Sequence, residues 1–282
     1  MFHVKQSTRL YKDFLVSNEE FELRPSSKYD GLLKTYPVPT AEELTKYYES
    51  DEYISHSDNS KGLINQLYYW VKMYNLNQKY KLIKNLNVGD KVLDYGCGTG
   101  EFVHYLNKKK FNAKGFEPNP TGFGIAKSKD PNSFYSTSEI LKTEKFNVIT
   151  LWHVLEHIPN LFDELENIKN ALTENGRILI AVPNYESFDA KYYQEYWAAY
   201  DVPRHLWHFN QASLSKILYD FGMVIENIRP MIFDSFYVSL LSEKYKGSSS
   251  GFFKAMVIGS ISNLKSIKDG QFSSLMYEVK LK

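Results

Sequence analysis

The sequence has little of what marks secreted, membrane-spanning or nucleic-acid-binding proteins. Its 282 residues include one cysteine, Cys97, which excludes an intrachain disulfide and is typical of a reducing compartment. Basic and acidic residues number 34 and 33, so the positive surplus of nucleic-acid binders is missing. The N-terminus shows no apolar signal segment, and the apolar stretch at 251 to 264 is too short for a bilayer. We expect a soluble, cytoplasmic protein that binds no nucleic acid; a peripheral membrane contact stays open.

Strand and helix patterns alternate through the middle of the chain. Short apolar, β-branched segments predict strands at 91 to 95, 113 to 116, 133 to 136, 146 to 151 and 176 to 182. Because helical patterns separate them, the strands need crossover connections and form a parallel sheet covered on both faces. Further strands at 223 to 229 and 275 to 281, the last at an edge, give an α/β, Rossmann-like, mostly parallel sheet of seven strands.

Two segments lie outside this alternation. Residues 1 to 60 are polar and proline-interrupted, which predicts a strap or a small hairpin ahead of a main domain at 61 to 282. Residues 231 to 270 form a helical insertion before the last strand. This insertion would be an apolar lid over an acceptor if its faces are exposed, or additional core if both helices pack on the domain.

A glycine-rich loop joins the first strand of the alternation to a helix. Residues 92 to 100 read VLDYGCGTG, and glycine allows a sharp turn and a close approach of the backbone to a ligand. Asp94 ends the strand, where its carboxylate can accept hydrogen bonds from a positively charged amino-acid group. Glu117 ends the next strand, about twenty residues on, where a carboxylate can bind both ribose hydroxyls. The pattern indicates a nucleoside-containing cofactor.

A dinucleotide cofactor is the competing interpretation of this loop. Its fingerprint requires glycine three residues after Gly98, and this chain has Glu101 there. A carboxylate at the start of the helix would also repel a pyrophosphate. The loop therefore disfavours NAD.

Four segments together resemble class I S-adenosylmethionine-dependent methyltransferases. The glycine loop resembles their motif I, and FEPNP, FNVITLWHVLEHIPN and GRILIAVPN are similar to the motifs of the second, fourth and fifth strands. The set resembles the family that includes the ubiquinone-biosynthesis O-methyltransferases, over roughly residues 60 to 230. The resemblance implies S-adenosyl-L-methionine as cofactor and a set of contacting residues: Asp94, Gly96, Cys97, Gly98, Gly100, Glu117, Pro118, Trp152 and His153.

The segment WHVLEHIP offers one group of candidate functional side chains. If it is helical, His153, Glu156 and His157 share one face, where they could ligate a divalent metal or line a polar pocket. In the quinone O-methyltransferases the matching stretch has two acidic residues and a histidine that resemble a metal site. Because His153 replaces the first acid here, we assign no metal.

The segment YDVPRHLWHFN offers the second group, with Arg204, His205 and His208 in the region where acceptor loops lie in this fold. We expect His205 to be the general base, with His153 and His208 as further catalytic candidates. The alternative is structural, with His208 packed against the sheet.

Two functions remain open from the sequence. The first is methyl transfer from S-adenosylmethionine to a small-molecule acceptor, with oxygen the preferred acceptor atom. The second is a catalytically silent methyltransferase fold that serves as a binding or scaffold module. Intact glycines and both carboxylates, Asp94 and Glu117, favour the enzyme.

Overall fold

A computed structural model describes residues 9–48, 63–87 and 89–282. Its centre is a seven-stranded sheet, with strands numbered in chain order over the whole molecule. Across the sheet they run β10 (Met223–Pro230), β11 (Ser274–Leu281), β8 (Leu172–Pro183), β7 (Phe146–Trp152), β4 (Lys91–Tyr95), β5 (Asn112–Phe116) and β6 (Phe134–Tyr135). The pairs from β8 to β6 are all parallel, as the alternation of strands and helices predicts.

The helices connect these strands. In chain order they are α1 (Ala41–Lys46), α2 (Leu63–Ile83), α3 (Glu101–Lys108), α4 (Pro120–Lys129), α5 (Ile140–Thr143), α6 (Leu161–Asn170), α7 (Phe188–Tyr193), α8 (Gln211–Asp220), α9 (Asp234–Tyr245) and α10 (Gly251–Asp269). Two separate apolar clusters flank the sheet, as expected for a sheet with both faces covered. The predicted Rossmann-like architecture is confirmed.

One strand prediction was wrong. The sequence predicts an edge strand at 275 to 281, but β11 lies between β8 and β10 and pairs antiparallel with both. Residues 274 to 279 are all buried, so their alternating residue types do not indicate that one face of the strand is exposed to solvent. The edge is β10, whose residues 226 to 230 are exposed.

A second, smaller sheet is built from the N-terminal segment. Strands β1 (Leu10–Lys12), β2 (Glu20–Pro25) and β3 (Leu33–Tyr36) form an antiparallel meander, and β9 (Trp207–His208) joins it beside β3. The division of the chain at residue 60 stays a prediction, because residues 49 to 62 lie outside the described ranges.

The insertion forms the two helices α9 and α10, which pack against each other and against α7 and its neighbouring 3-10 turns. Small residues allow this packing: a Cβ on Gly259 would lie 2.7 Å from Phe236 Cδ1. The inner faces therefore belong to the core, and the outer faces remain exposed. Among the described helices, none is long and apolar enough to cross a membrane.

Candidate active site

The glycine loop folds back across the end of β5. The backbone N–H groups of Gly96 and Cys97 both donate to the Phe116 carbonyl oxygen, at 2.8 and 2.9 Å. Gly98 N donates to Glu117 Oε2 at 2.8 Å, so the carboxylate that ends β5 is tied to the loop. The loop and Glu117 therefore form one unit at the carboxyl edge of the sheet, where ligands bind in open parallel sheets.

The three glycines of the loop have different surroundings, although all three have positive φ. A Cβ on Gly96 would lie 2.5 Å from Val154 Cγ2, and one on Gly100 would lie 2.5 Å from Phe134 Cζ. A Cβ on Gly98 meets no atom of the described residues within 4 Å. Gly96 and Gly100 thus permit packing, and Gly98 faces open space.

Two buried carboxylates border that open space. Asp94 is 4% exposed and accepts a hydrogen bond from Thr150 Oγ1 at 2.6 Å. Burial raises the pKa of Asp94 to about 6, against the opposing charge of Lys79. Burial also raises the pKa of Glu117, although the N–H groups of Asn119 and Gly98 stabilise its ionised form. Each Glu117 oxygen accepts one backbone N–H, which leaves lone pairs for a further donor.

Lys79 is a site residue that the sequence did not reveal. Its ammonium group lies 4.6 Å from the centre of the Trp152 ring and 5.6 Å from that of Phe102. Burial lowers the pKa of Lys79, and the charges of Asp94 and Asp234 oppose this shift. It lies on α2, and only the tertiary packing brings it to the carboxyl edge of the sheet.

The remaining predicted cofactor residues occupy different positions around the loop. Trp152 ends β7, and its buried indole N–H meets no acceptor in the described part of the chain. Pro118 follows β5 and is exposed. The Cys97 side chain turns toward β5, since a Cβ on Gly115 would lie 2.6 Å from its Sγ. Burial raises the pKa of the Cys97 thiol, so the group stays neutral.

His153 is held between two carboxylates. It has a φ of 55°, a strained backbone for a residue other than glycine. Its Nε2 lies 3.0 Å from Asp234 Oδ2, at the start of α9, and its Nδ1 lies 3.4 Å from Glu156 Oε1. Burial opposes protonation, but the two carboxylates outweigh it and raise the pKa of His153 to about 10. The ring is therefore a cation at neutral pH, with both nitrogens directed at acids.

The expectation of one helical face for His153, Glu156 and His157 was wrong. Residues 155 to 157 form a 3-10 turn, and His153 lies before it in left-handed conformation. Glu156, His157 and His205 instead come together, with ligand atoms within 4.8 Å of one another, close enough to hold a metal ion. Burial and the neighbouring His205 lower the pKa of His157 to about 4, so His157 is neutral.

His205 is presented by backbone hydrogen bonds on both sides. Its Nδ1 lies 2.8 Å from the Ala199 carbonyl oxygen, which requires the hydrogen on Nδ1 and leaves Nε2 as an acceptor. Nε2 lies 4.0 Å from Glu156 Oε1 and 3.9 Å from Asp201 Oδ2. With its hydrogen on Nδ1, the imidazole presents Nε2 to two carboxylates, the arrangement of a base beside acids that orient it.

Arg204 and His208 contact the smaller sheet. Arg204 is 1% exposed and forms ion pairs with Asp13 at 3.0 Å and Asp201 at 2.7 Å. The Nε2 atom of His208 lies 2.9 Å from the Thr35 hydroxyl, and burial lowers the pKa of His208 well below its ordinary value. Both side chains thus join the segment that contains β9 to the N-terminal segment, and the choice between a structural and a catalytic role for His208 stays a prediction.

Comparison with known proteins gives the family. A family model described as a methyltransferase domain matches residues 69–228, more than half of the chain. The chain belongs to this methyltransferase family. The recognition of an S-adenosylmethionine-dependent methyltransferase from its motifs is therefore confirmed.

Named relatives of this methyltransferase come from several bacteria. It is 32% identical over 109 residues to the ubiquinone biosynthesis O-methyltransferase of Glaesserella parasuis, a match that covers 34% of this chain and 46% of that protein. It is 25% identical over 183 residues to the enzyme of the same name from Rhodopseudomonas palustris, covering 60% and 70%. The match thus spans about half the length of the first relative.

A solved structure shares the fold of this methyltransferase. The magnesium protoporphyrin IX methyltransferase of Synechocystis, crystallised with bound SAH, superposes with a TM-score of 0.54 at 14% identity. The match covers 84% of this chain and 97% of that one. The seven-stranded architecture is therefore that of a known methyltransferase fold.

Proposed function

We propose that this protein transfers the methyl group of S-adenosylmethionine to a hydroxyl oxygen of a small molecule. The observation that carries the proposal is the pair of buried carboxylates, Asp94 and Glu117, at the ends of adjacent parallel strands, with Glu117 bound to the backbone of Gly98. The names of the curated relatives support the choice of oxygen.

The residues around the glycine loop fit this cofactor. Glu117 retains lone pairs for the ribose hydroxyls, and Asp94 can accept from the ammonium group of the methionine portion. Lys79 supplies a positive charge beside Asp94 for the carboxylate of the same portion. The unpaired indole N–H of Trp152, which has no acceptor among the described residues, adds a donor. S-adenosylmethionine, when bound, supplies a methyl group activated by a sulfonium.

The protein's own residues then handle the acceptor proton. An acceptor hydroxyl must lose its proton as its oxygen takes the methyl group, and positioning supplies much of the remaining rate. His205 is the candidate base, because its Nε2 is free to accept and is flanked by Glu156 and Asp201. His153 is less suited, since both of its nitrogens face acids. His208 is engaged with Thr35.

Cofactor binding is tested by calorimetric titration with S-adenosylhomocysteine. Wild-type protein should bind, and Glu117→Ala should bind about a hundredfold more weakly, because it loses charge-assisted hydrogen bonds to the ribose and the tie to Gly98. Glu174→Ala, which removes an exposed acid near the start of β8, is the matched control. Failure of the wild type to bind would favour the silent scaffold.

The assignment of His205 is tested by transfer of radioactive methyl groups to phenols, with anilines and thiols of the same shape for comparison. His205→Gln should keep cofactor affinity and lower kcat at least about a hundredfold, because an amide cannot take the proton. His104→Ala, on α3, should leave kcat unchanged. Wild-type turnover in His205→Gln would remove His205 as the base, and preferential labelling of the anilines would contradict an oxygen acceptor.

A further inference from the structure

The two helices of the insertion present a continuous apolar surface, which we call the hairpin face. Its side chains are 37% exposed at Leu240 and up to 77% exposed at Phe253. The members are Ile232, Phe233, Tyr237, Leu240, Phe252, Phe253, Val257, Leu264 and Ile267. Phe233 also contacts Tyr74 on α2, with 5.1 Å between the ring centres.

The hairpin face is larger than a monomer ordinarily exposes. Large apolar and aromatic side chains have about 150–250 Å² each, so nine of them at these fractions offer on the order of 900 Å². The largest apolar patch of a typical monomer is about 300–600 Å². A stable protein–protein interface buries about 800 Å² per partner. The face therefore has the area of one side of an interface.

The spacing of the face on α10 is that of a helix-packing seam. Phe253, Val257, Ser260, Leu264 and Ile267 follow one another at intervals of four, three, four and three residues. This alternation places a narrow stripe along one side of a helix, where side chains of a facing helix interlock. A lipid surface does not require such a seam. The spacing thus favours a helical partner.

The seam also matches the seam of a second copy of α10 that runs in the opposite direction. Ser260 lies at its midpoint, and a second α10 running in the opposite direction would place Phe253 opposite Ile267 of the partner subunit. Val257 would lie within one residue of the level of Leu264 of the partner subunit, so large side chains fill both ends and Ser260 allows close approach at the centre. A patch that matches its own two-fold copy is what an isologous dimer requires.

Two lysines of α10 are engaged within their own subunit. Lys254 Nζ lies 3.4 Å from Oε1 of the buried Glu243, and Lys265 Nζ lies 3.9 Å from the centre of the Phe188 ring. Both charges therefore have partners before a second copy packs on the seam.

We propose that the hairpin face is a homodimer interface, in which α10 helices of two copies pack antiparallel around a two-fold axis at Ser260. The α9 helices flank the pair and complete a four-helix bundle. Because Asp234 begins α9 and contacts His153, the interface is built on the same helix that closes the candidate site.

Sedimentation equilibrium of the full chain tests the interface. Wild-type protein should sediment with the mass of two chains, and Val257→Arg with Leu264→Arg should raise the dimer dissociation constant at least about a hundredfold, since the seam would bury unpaired charges. Tyr219→Arg, at a side chain 59% exposed on α8, is the control and should remain dimeric. A wild-type monomer at all concentrations overturns the proposal, including a monomer that instead binds phosphatidylglycerol vesicles.

Oxidative crosslinking tests the register. Ser260→Cys should form a disulfide-linked dimer, because the two Ser260 positions meet at the axis. Lys265→Cys should not, since its five-residue offset in each helix separates the two copies by about 15 Å, and a disulfide spans at most about 7 Å between Cα atoms. The wild type, with Cys97 alone, gives the background. Equal crosslinking of the two variants, or none at position 260, would contradict the register.

Discussion

The candidate site has two sides that are built differently. On the proposed cofactor side, Asp94, Gly98 and Glu117 lie within one strand–loop–helix–strand segment, and open space borders Gly98. On the proposed acceptor side, Glu156 and His205 come from segments far apart in the chain and lie 4.0 Å apart. The carboxylate oxygens of Glu156 are buried and have no hydrogen-bond donor in the described part of the chain, so this side depends on the charges around it.

This difference bears on where the protein tolerates change. The acceptor side depends on buried ions whose removal leaves partners without compensation, so its substitutions should act on stability first. The cofactor side depends on backbone shape and two carboxylates. A substitution there should lower stability where the residue packs against the protein, and should weaken binding where the residue faces open space. Substitutions on the two sides should therefore separate loss of stability from loss of binding.

The largest effect is expected on the acceptor side, at the buried ion group of Arg204. Arg204→Met should lower the free energy of unfolding by about 3–5 kcal/mol, because Asp13 and Asp201 then remain buried without a cation. Urea unfolding measures the change. Arg24→Met, at a half-exposed arginine paired with Glu22 on β2, should change the free energy of unfolding far less, because solvent screens an exposed ion pair. Equal losses in the two variants would contradict the buried-ion argument.

The next effect separates two glycines of one loop. Gly96→Ala should lower the free energy of unfolding by about 3 kcal/mol, because its methyl group meets Val154 and its φ is positive. Gly98→Ala should cost about 1 kcal/mol, from backbone strain alone. Thermal unfolding and titration with S-adenosylhomocysteine measure both properties. Only Gly98→Ala should remain well folded and yet bind weakly; strong binding by that variant would show that the open space is not the cofactor's.

The smallest effect is the pH dependence from Asp94. Its pKa of about 6 means that the ligand's ammonium group loses its ionised partner as the pH falls, so affinity for S-adenosylhomocysteine should drop up to tenfold per unit below pH 6. The free energy of unfolding depends on pH in the opposite sense. Because the pKa of Asp94 is higher in the folded than in the unfolded protein, its contribution to stability is complete below the unfolded pKa and is lost as the pH rises through 6. Calorimetry from pH 8 to pH 5 tests both.

Asp94→Asn is the control for this dependence. It should bind more weakly at pH 7 and show a flatter profile between pH 7 and pH 5, with Glu117 as the remaining buried acid whose pKa is raised. An unchanged slope in Asp94→Asn would assign the dependence to another group.

The cofactor side could be predicted because its elements are local. The strand at 91 to 95 follows from a short-range pattern, and it is present in the structure. Glu117 follows Asp94 by one βα unit, so the topology of a parallel sheet alone brings their strand ends together. The sequence could not show that Gly96 and Gly100 serve packing, because their neighbours Val154 and Phe134 come from other elements.

The acceptor side was predicted less well, since it depends on long-range contacts. The segment WHVLEHIP fits helical spacing, yet His153 takes a left-handed conformation and pairs with Asp234 from the insertion. Pairs of this kind leave no periodic signal. The prediction of an edge strand at 275 to 281 failed for a related reason. β11 pairs with a strand on each side, so its alternating residue types do not indicate which side chains are exposed.

The sequence by itself therefore determined the order of the elements, the parallel core of the sheet, the family and the two carboxylates at the strand ends beside the glycine loop. These depend on periodicity, turn chemistry and one crossover rule, which act within a few tens of residues. Tertiary structure alone decided which acid each histidine faces, that Lys79 reaches the site, and that the hairpin face stays exposed. Those outcomes depend on the balance of burial and charge among segments far apart in the chain, and no local pattern encodes that balance.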